Sequence, residues 1–204
     1  MNFLAHLHIA YSSQSSLLGN LLGDFVKGDP TKLYSQSVSN GIRLHRFVDS
    51  YTDSHPIMKE AKGLFPEQQR RFSGIALDVM WDHYLAANWQ NYQKESLSEF
   101  CRLAEHEVKS EQSHANMVDA SELPIRYLQM TSRMWQGRWL ESYRELDNIE
   151  FALQRMSQRS PRMGPLADCF QPLSEHYLEV ERLFAQFYPE LLNVSRDFSV
   201  SSGN

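Results

Sequence analysis

Only two residues of the 204 are cysteine, Cys101 and Cys169, and they show neither paired spacing nor a histidine at metal-site intervals. That argues against a disulfide framework and a cysteine-ligated metal, leaving free buried thiols of a reducing compartment as the expectation. There is no Gly-x-Ser-x-Gly elbow, no glycine-rich loop leading into Lys-Ser or Lys-Thr, and no cysteine beside a histidine. A serine-hydrolase nucleophile, a nucleotide P-loop and a thiol nucleophile are thus without support. Apolar runs fall short of membrane-spanning length, so no membrane span is expected. The first residues lack a basic start and are interrupted by His6 and His8, unlike a signal peptide, and a cytoplasmic location is expected. A basic excess is missing too: the formal charge is −5, which argues against a general nucleic-acid binder while leaving room for a local basic patch. Alternating β-branched runs are nearly absent, so strands are not expected.

What is present is ordinary globular composition, 42% hydrophobic and 22% charged, with helical periodicity throughout. Residues 2–11 read as a short amphipathic helix. Leu17 to about Val26 reads as the next, with Gly19 and Gly23 leaving an edge where another backbone can approach. A longer helix is expected over Gln36–Asp53, and further ones over 67–91, 95–109, 112–118, 122–136, 139–158 and 172–188. Ser160–Ala167 reads as loose. The fold class is all-α: one compact multi-helix domain over 1–193, with a flexible tail over 194–204.

The stretch from Phe72 to Ala86 is apolar nearly all round, as a buried helix would be. It nevertheless carries Asp78 and Asp82, four residues apart and therefore on one face. Two carboxylates with no Lys or Arg within a turn are costly to bury unless something compensates them. A divalent metal ion is one such group. His6, His8, His45, His55 and His83 all fall in the first 83 residues, beside Asp24, Asp49, Asp53, Asp78 and Asp82. Carboxylate and imidazole are the donors that hard and borderline divalent cations prefer.

Helical phase sorts the candidates. Asp24 falls inside the apolar face of its helix, and His45 at the border of the Leu44, Val48, Tyr51 stripe. Asp49 and Asp53 lie with Arg46 on the opposite side, where a solvated face and a ligand role both fit. His6 and His8 read more readily as core histidines, and His55 as part of a helix cap. The set carrying the inference is Asp24, His45, Asp78 and Asp82. Such a centre suits hydrolysis, because a bound ion lowers the pKa of water and neutralises charge on a phosphoryl oxygen. Lys27, Arg43 and Arg46 could hold a phosphate, though each suits a solvated face equally.

These residues resemble a known family. His6, the segment Leu18 to Gly28, the run Gly41 to Pro56 and the helix over Phe72–Ala86 together look like acyl carrier protein phosphodiesterase, densely over 1–90 and more loosely to about 190. The resemblance implies a divergent, helical relative of the HD-domain phosphohydrolases. Its activity removes 4′-phosphopantetheine from a serine of holo-acyl carrier protein, with Mn²⁺ as the usual activating ion and Mg²⁺ or another divalent ion as substitutes. In the HD pattern His45 matches the first histidine and Asp78 the aspartate of the His-Asp pair. Leu77 stands where the paired histidine would be, and Asp24 is a candidate replacement. The implied metal ligands are Asp24, His45 and Asp78. Asp82 and His83 match groups that orient or protonate during hydrolysis. The small, acidic carrier implies a basic docking patch, for which Arg126, Arg133 and Arg138 form one group and Arg155, Arg159 and Arg162 another. Two other readings stay open: an HD-like hydrolase of a different phosphoester, and a non-enzymatic helical protein with a structural metal site.

Overall fold

The computed structural model describes residues 1–114 and 123–202. Its helices are α1 (Phe3–Ser12), α2 (Leu17–Leu22), α3 (Gln36–Ser54), α4 (Pro56–Gly63), α5 (Arg70–Ala87), α6 (Leu97–His114), α7 (Ile125–Gln136), α8 (Trp139–Ser142), α9 (Leu146–Ser157), α10 (Phe170–Glu175) and α11 (Tyr177–Ser202). Short 3₁₀ segments join several of them, and no strand occurs among the described residues. The all-α single domain read from periodicity is what the chain forms. No helix among the described residues is long and apolar enough to cross a membrane.

Polar residues start the helices where orphan backbone N–H groups need acceptors. The Ser16 hydroxyl accepts from the Gly19 N–H at 2.8 Å, opening α2. Ser35 does the same for α3 through Val38. His55 caps α4, its Nδ1 accepting from the Ile57 N–H at 3.2 Å, while Pro56 occupies the first position, where no N–H is missed.

The fold is wrapped around α1. Rather than a half-exposed amphipathic helix, it is buried from Leu4 to Ala10, both histidines included. α2, α3, α5 and α11 all pack on it, so no side is left for water. α5 and α11 meet through aromatic rings: Trp81 stacks on Phe184 with centroids 5.6 Å apart, and Tyr84 lies 5.9 Å from the same ring. α2 crosses α3 where two glycines face each other. A Cβ on Gly19 would run into Val38 O and come within 2.8 Å of Gly41 Cα. The helices can cross this closely only because both side chains are absent.

Several boundaries differ from the sequence reading, among them a break at His176 within the helix expected over 172–188. α2 stops at Leu22 instead of Val26; a turn follows, and Arg46 binds the Val26 and Gly28 carbonyls beyond it. The segment expected over 139–158 breaks between Ser142 and Leu146, and Ser160–Ala167 lies in an ordered 3₁₀ stretch, Pro161–Cys169. α11 runs on to Ser202, so 194–202 is helical where a loose tail was expected. Phe198 stacks on Phe47 of α3 at 4.4 Å, and Ser195 is fully buried, so this last part is packed down. The helix expected over 112–118 is the end of α6 as far as His114, and its remainder lies outside the described residues.

Candidate metal centre

Two carboxylates from distant helices set the site by holding the starts of α1 and α2. Asn2, at the N-cap of α1, makes no side-chain cap. Asp82 of α5 does that work: the Leu4 N–H donates to its Oδ2 at 2.8 Å and the Ala5 N–H to its Oδ1 at 3.0 Å. Glu111 of α6 serves α2 likewise, accepting from the Leu17 N–H at 2.9 Å and from the Ser16 hydroxyl. α1 thereby presents His6, and α2 ends where Gly23 and Asp24 meet α3.

There the donors converge. The imidazoles of His6 and His45 stack with centroids 3.9 Å apart and planes 20° from parallel. His6 Nε2 lies 3.1 Å from Asp49 Oδ1, and His45 Nε2 lies 3.1 Å from Asp49 Oδ2. Asp24 Oδ1 is 3.5 Å from His45 Nε2. Both rings are buried, while Asp24 and Asp49 are 56% and 39% exposed, so the cluster opens at one rim. His6, His45 and Asp49 each offer a ligand atom within 4.8 Å of the others. The Nδ1 atoms of both histidines are buried without a hydrogen-bond partner among the described residues, so Nε2 is the nitrogen each ring turns toward the rim. Two imidazole nitrogens and one or two carboxylate oxygens form a donor set that fits a borderline divalent cation.

The carboxylates favour positive charge on the neighbouring His45. Burial alone would lower the His45 imidazole, but hydrogen bonds to Asp24 and Asp49 and their charges outweigh it and carry it to about 9. A proton on His45 therefore supplies positive charge at neutral pH. Burial, with the His45 charge beside it, drops His6 to about 4, leaving it neutral. Asp24 is held below the usual carboxylate range, first by its hydrogen bond with His45. Burial works the other way on Asp49, yet its bonds to both histidines hold it far down.

The residues singled out from sequence fare unequally. His45 and Asp24 are in the cluster. Asp24 is not on a buried helix face, however: α2 ends before it, and it sits in the following loop. Asp49, for which a solvated face and a ligand role both fit the sequence, is the hub, and His6, read more readily as a core residue, is its second partner. α1 and α2 cover more of α3 than its apolar stripe suggests. Asp78 does not join the histidines; it accepts from the Met1 amino group at 2.8 Å, which also lies 3.6 Å from Asp49. Burial opposes charge on that amine, but Asp78 and Asp49 outweigh it and raise it to about 10. Asp82 and His83 also have other occupations. Asp82 caps α1, and His83 bridges the Tyr143 carbonyl at 2.8 Å from Nδ1 and the Tyr177 hydroxyl at 2.9 Å from Nε2. Arg46 is committed to backbone, its NH2 donating to Val26 O at 2.7 Å and NH1 to Gly28 O at 2.8 Å. Arg43 reaches Asn40 and Asp29 at the surface, and Lys27 stands exposed on the loop after Asp24. Leu77 is fully buried, and the imidazole beside His45 is that of His6.

Fold and cluster together define an all-α protein with converging imidazole and carboxylate donors at a solvent-facing rim. Over residues 1–191 the sequence matches the family described as acyl carrier protein phosphodiesterase. Proteins of that name are similar along nearly their whole length. One from Enterobacter sp. (strain 638) is 45% identical over 94% of this chain and 96% of its own. One from Yersinia enterocolitica is 42% identical over 97% and 98%, and one from Escherichia coli O6:K15:H31 is 40% identical over 94% and 96%. The chain belongs to the acyl carrier protein phosphodiesterase family. No solved structure matches it significantly.

Two outcomes follow from the geometry. Because a divalent ion must displace the His45 proton, its apparent affinity should rise with pH up to about 9, by roughly tenfold per unit for the one proton released. Mn²⁺ titration calorimetry in buffers of differing ionisation enthalpy reads both the slope and the proton. Separately, Asp82→Ala strands two buried N–H groups and should cost about 2 kcal/mol in urea unfolding at pH 5. Burial pushes the Asp82 carboxyl up to about 7, despite the two N–H groups that oppose it. Its stabilising contribution is thus complete below the ordinary carboxylate range and is lost as pH rises through about 7. The penalty for Asp82→Ala should shrink over that interval.

Proposed function

We propose that this protein hydrolyses the phosphodiester joining 4′-phosphopantetheine to a serine of holo-acyl carrier protein, with the His6, His45, Asp49 and Asp24 cluster as its metal-dependent catalytic centre. The observation that carries the reading is the convergence of two imidazoles on one carboxylate at an open rim, in a chain whose relatives bear that name. A divalent ion such as Mn²⁺ would supply Lewis acidity toward a phosphoryl oxygen and lower the pKa of water. His6 Nε2, His45 Nε2 and Asp49 would hold it, with Asp24 beside them.

The chain's own groups divide the remaining work. Asp49 fixes both imidazoles in one orientation, so the donors need no rearrangement when the ion arrives. Asp24, ionised and half-exposed, is placed to accept a proton from water at the rim. Lys27 and Arg43 can meet the phosphate charge from solvent. Arg46 positions the loop carrying Asp24, and Asp82 positions His6 through α1.

The carrier is best accommodated on α7. From Pro124 to Leu140 the chain contains no Asp or Glu. Arg126 and Arg133, seven residues apart, share an exposed face with Ile125 and Leu128, which are 70% and 44% exposed. Neither arginine has an ion pair among the described residues, whereas Arg138 is paired with Glu141. α7 also abuts the site: Tyr127 meets Phe25, next to Asp24, edge-on at 5.7 Å. The Arg155 group is less suited, since Asp147 and Glu150 share its helix and Arg155 lies over the Phe151 ring.

Intact-mass analysis of holo-acyl carrier protein incubated with the enzyme and Mn²⁺ tests the activity. The expected product is lighter by one phosphopantetheine group. An unchanged carrier with turnover of small phosphoesters would favour a different hydrolase, and no turnover of any phosphoester would favour a structural site. The double change Arg126→Glu with Arg133→Glu should raise KM for the carrier by about tenfold or more and leave kcat near the parent value.

A further inference from the structure

α2 ends in a second close approach to α3, one turn beyond the Gly19 and Gly41 contact. Gly23 has ordinary right-handed helical angles, φ −50° and ψ −40°, so alanine would suit its backbone. Space is what it lacks. A Cβ at position 23 would land on Cγ and Cδ2 of His45 and within 2.7 Å of the His45 Cβ. The His45 Cβ is fixed by α3 and cannot swing away, and Cγ and Cδ2 can leave only if the ring turns out of its present orientation. The ring is confined elsewhere too, because it stacks on His6 at 3.9 Å. The loop after Gly23 cannot easily retreat either, since Arg46 ties Val26 and Gly28 back to α3.

We propose that Gly23 is a positioning residue: its missing side chain forms the slot that holds the His45 imidazole with Nε2 aimed at Asp49 and Asp24. This rests on the reading of the cluster as the catalytic centre. An alanine there must push the ring off its stack or pry α2 from α3. Either movement takes Nε2 out of register with the other donors, and a shift of this kind is costly to a site that works by preorganised geometry.

The test compares Gly23→Ala with Gly63→Ala, whose added Cβ meets nothing within 4 Å. Gly23→Ala should weaken Mn²⁺ binding, read by electron paramagnetic resonance, by roughly tenfold or more, and lower kcat far more than it changes KM for the carrier. Gly63→Ala should change neither. A double-mutant cycle in metal-free protein isolates the contact. In a His45→Gly background, where the obstructing atoms are gone, Gly23→Ala should no longer lower the urea midpoint. Gly19→Ala, which strikes α3 backbone, should lower it in both backgrounds. Unchanged Mn²⁺ affinity in Gly23→Ala, or the same stability loss with and without the His45 ring, would overturn the proposal. If Gly23→Ala alone does not fold, rescue of folding by His45→Gly supports it and failure of that rescue overturns it. The cycle needs no phosphodiesterase activity, so its failure is distinguishable from failure of the functional reading.

Discussion

The Asp82 carboxyl group, accepting from the Leu4 and Ala5 N–H groups in the first turn of α1, is the interaction on which the site depends. It is fully buried, and it places a helix that has no side-chain cap of its own. Once α1 is docked by its end, His6 has one place to be. Its ring then backs His45, and the Asp49 carboxylate closes on both. Glu111 does the equivalent for α2, bringing Gly23 and Asp24 to the same spot. The cluster is thus assembled from α1, α2 and the long helix α3, with the starts of α1 and α2 each secured by a carboxylate from elsewhere in the chain. Buried carboxylates are costly, but one whose oxygens are met by helix N-terminal N–H groups recovers much of that cost.

Charge balance gives the cluster its character. Asp49 interacts with both Asp24 and Asp78, with the Met1 amine and a protonated His45 as the opposing charges. Without an ion, a proton on His45 supplies the missing positive charge. On the proposed reading a divalent ion bound there would take the place of that proton, and its uptake would release it. The arrangement also assigns Asp78 a role distinct from the HD pattern: it neutralises the amine that lies beside Asp49.

Much of this was legible in the sequence, for reasons that can be named. Apolar periodicity revealed the helices and the burial of α5, because helix-forming residues and buried faces agree throughout. The argument that Asp78 and Asp82 need compensation was sound, yet the compensators are an amine and two backbone N–H groups, which no residue pattern marks. Asp24 was found although the reason given for it, a buried helix face, does not apply to a residue in a loop. His6 and Asp49 were passed over because helical phase describes one helix at a time. Whether His6 faces solvent, core or cluster depends on α1 lying between α3 and α5, which is tertiary information. For Asp49 one signal is present in the sequence: it stands at i, i+4 from His45 on the same helix.

The central claim is that His6 and His45, gathered on Asp49, form the metal centre. Pulsed electron paramagnetic resonance of the Mn²⁺-loaded protein, with histidine isotopically labelled at nitrogen, addresses it most directly. The account predicts couplings from two imidazole nitrogens, one lost in His6→Gln and the other in His45→Gln, with both intact in His83→Gln. Only one imidazole coupling in the parent protein, two couplings that both survive His6→Gln, or one that vanishes in His83→Gln, would contradict it.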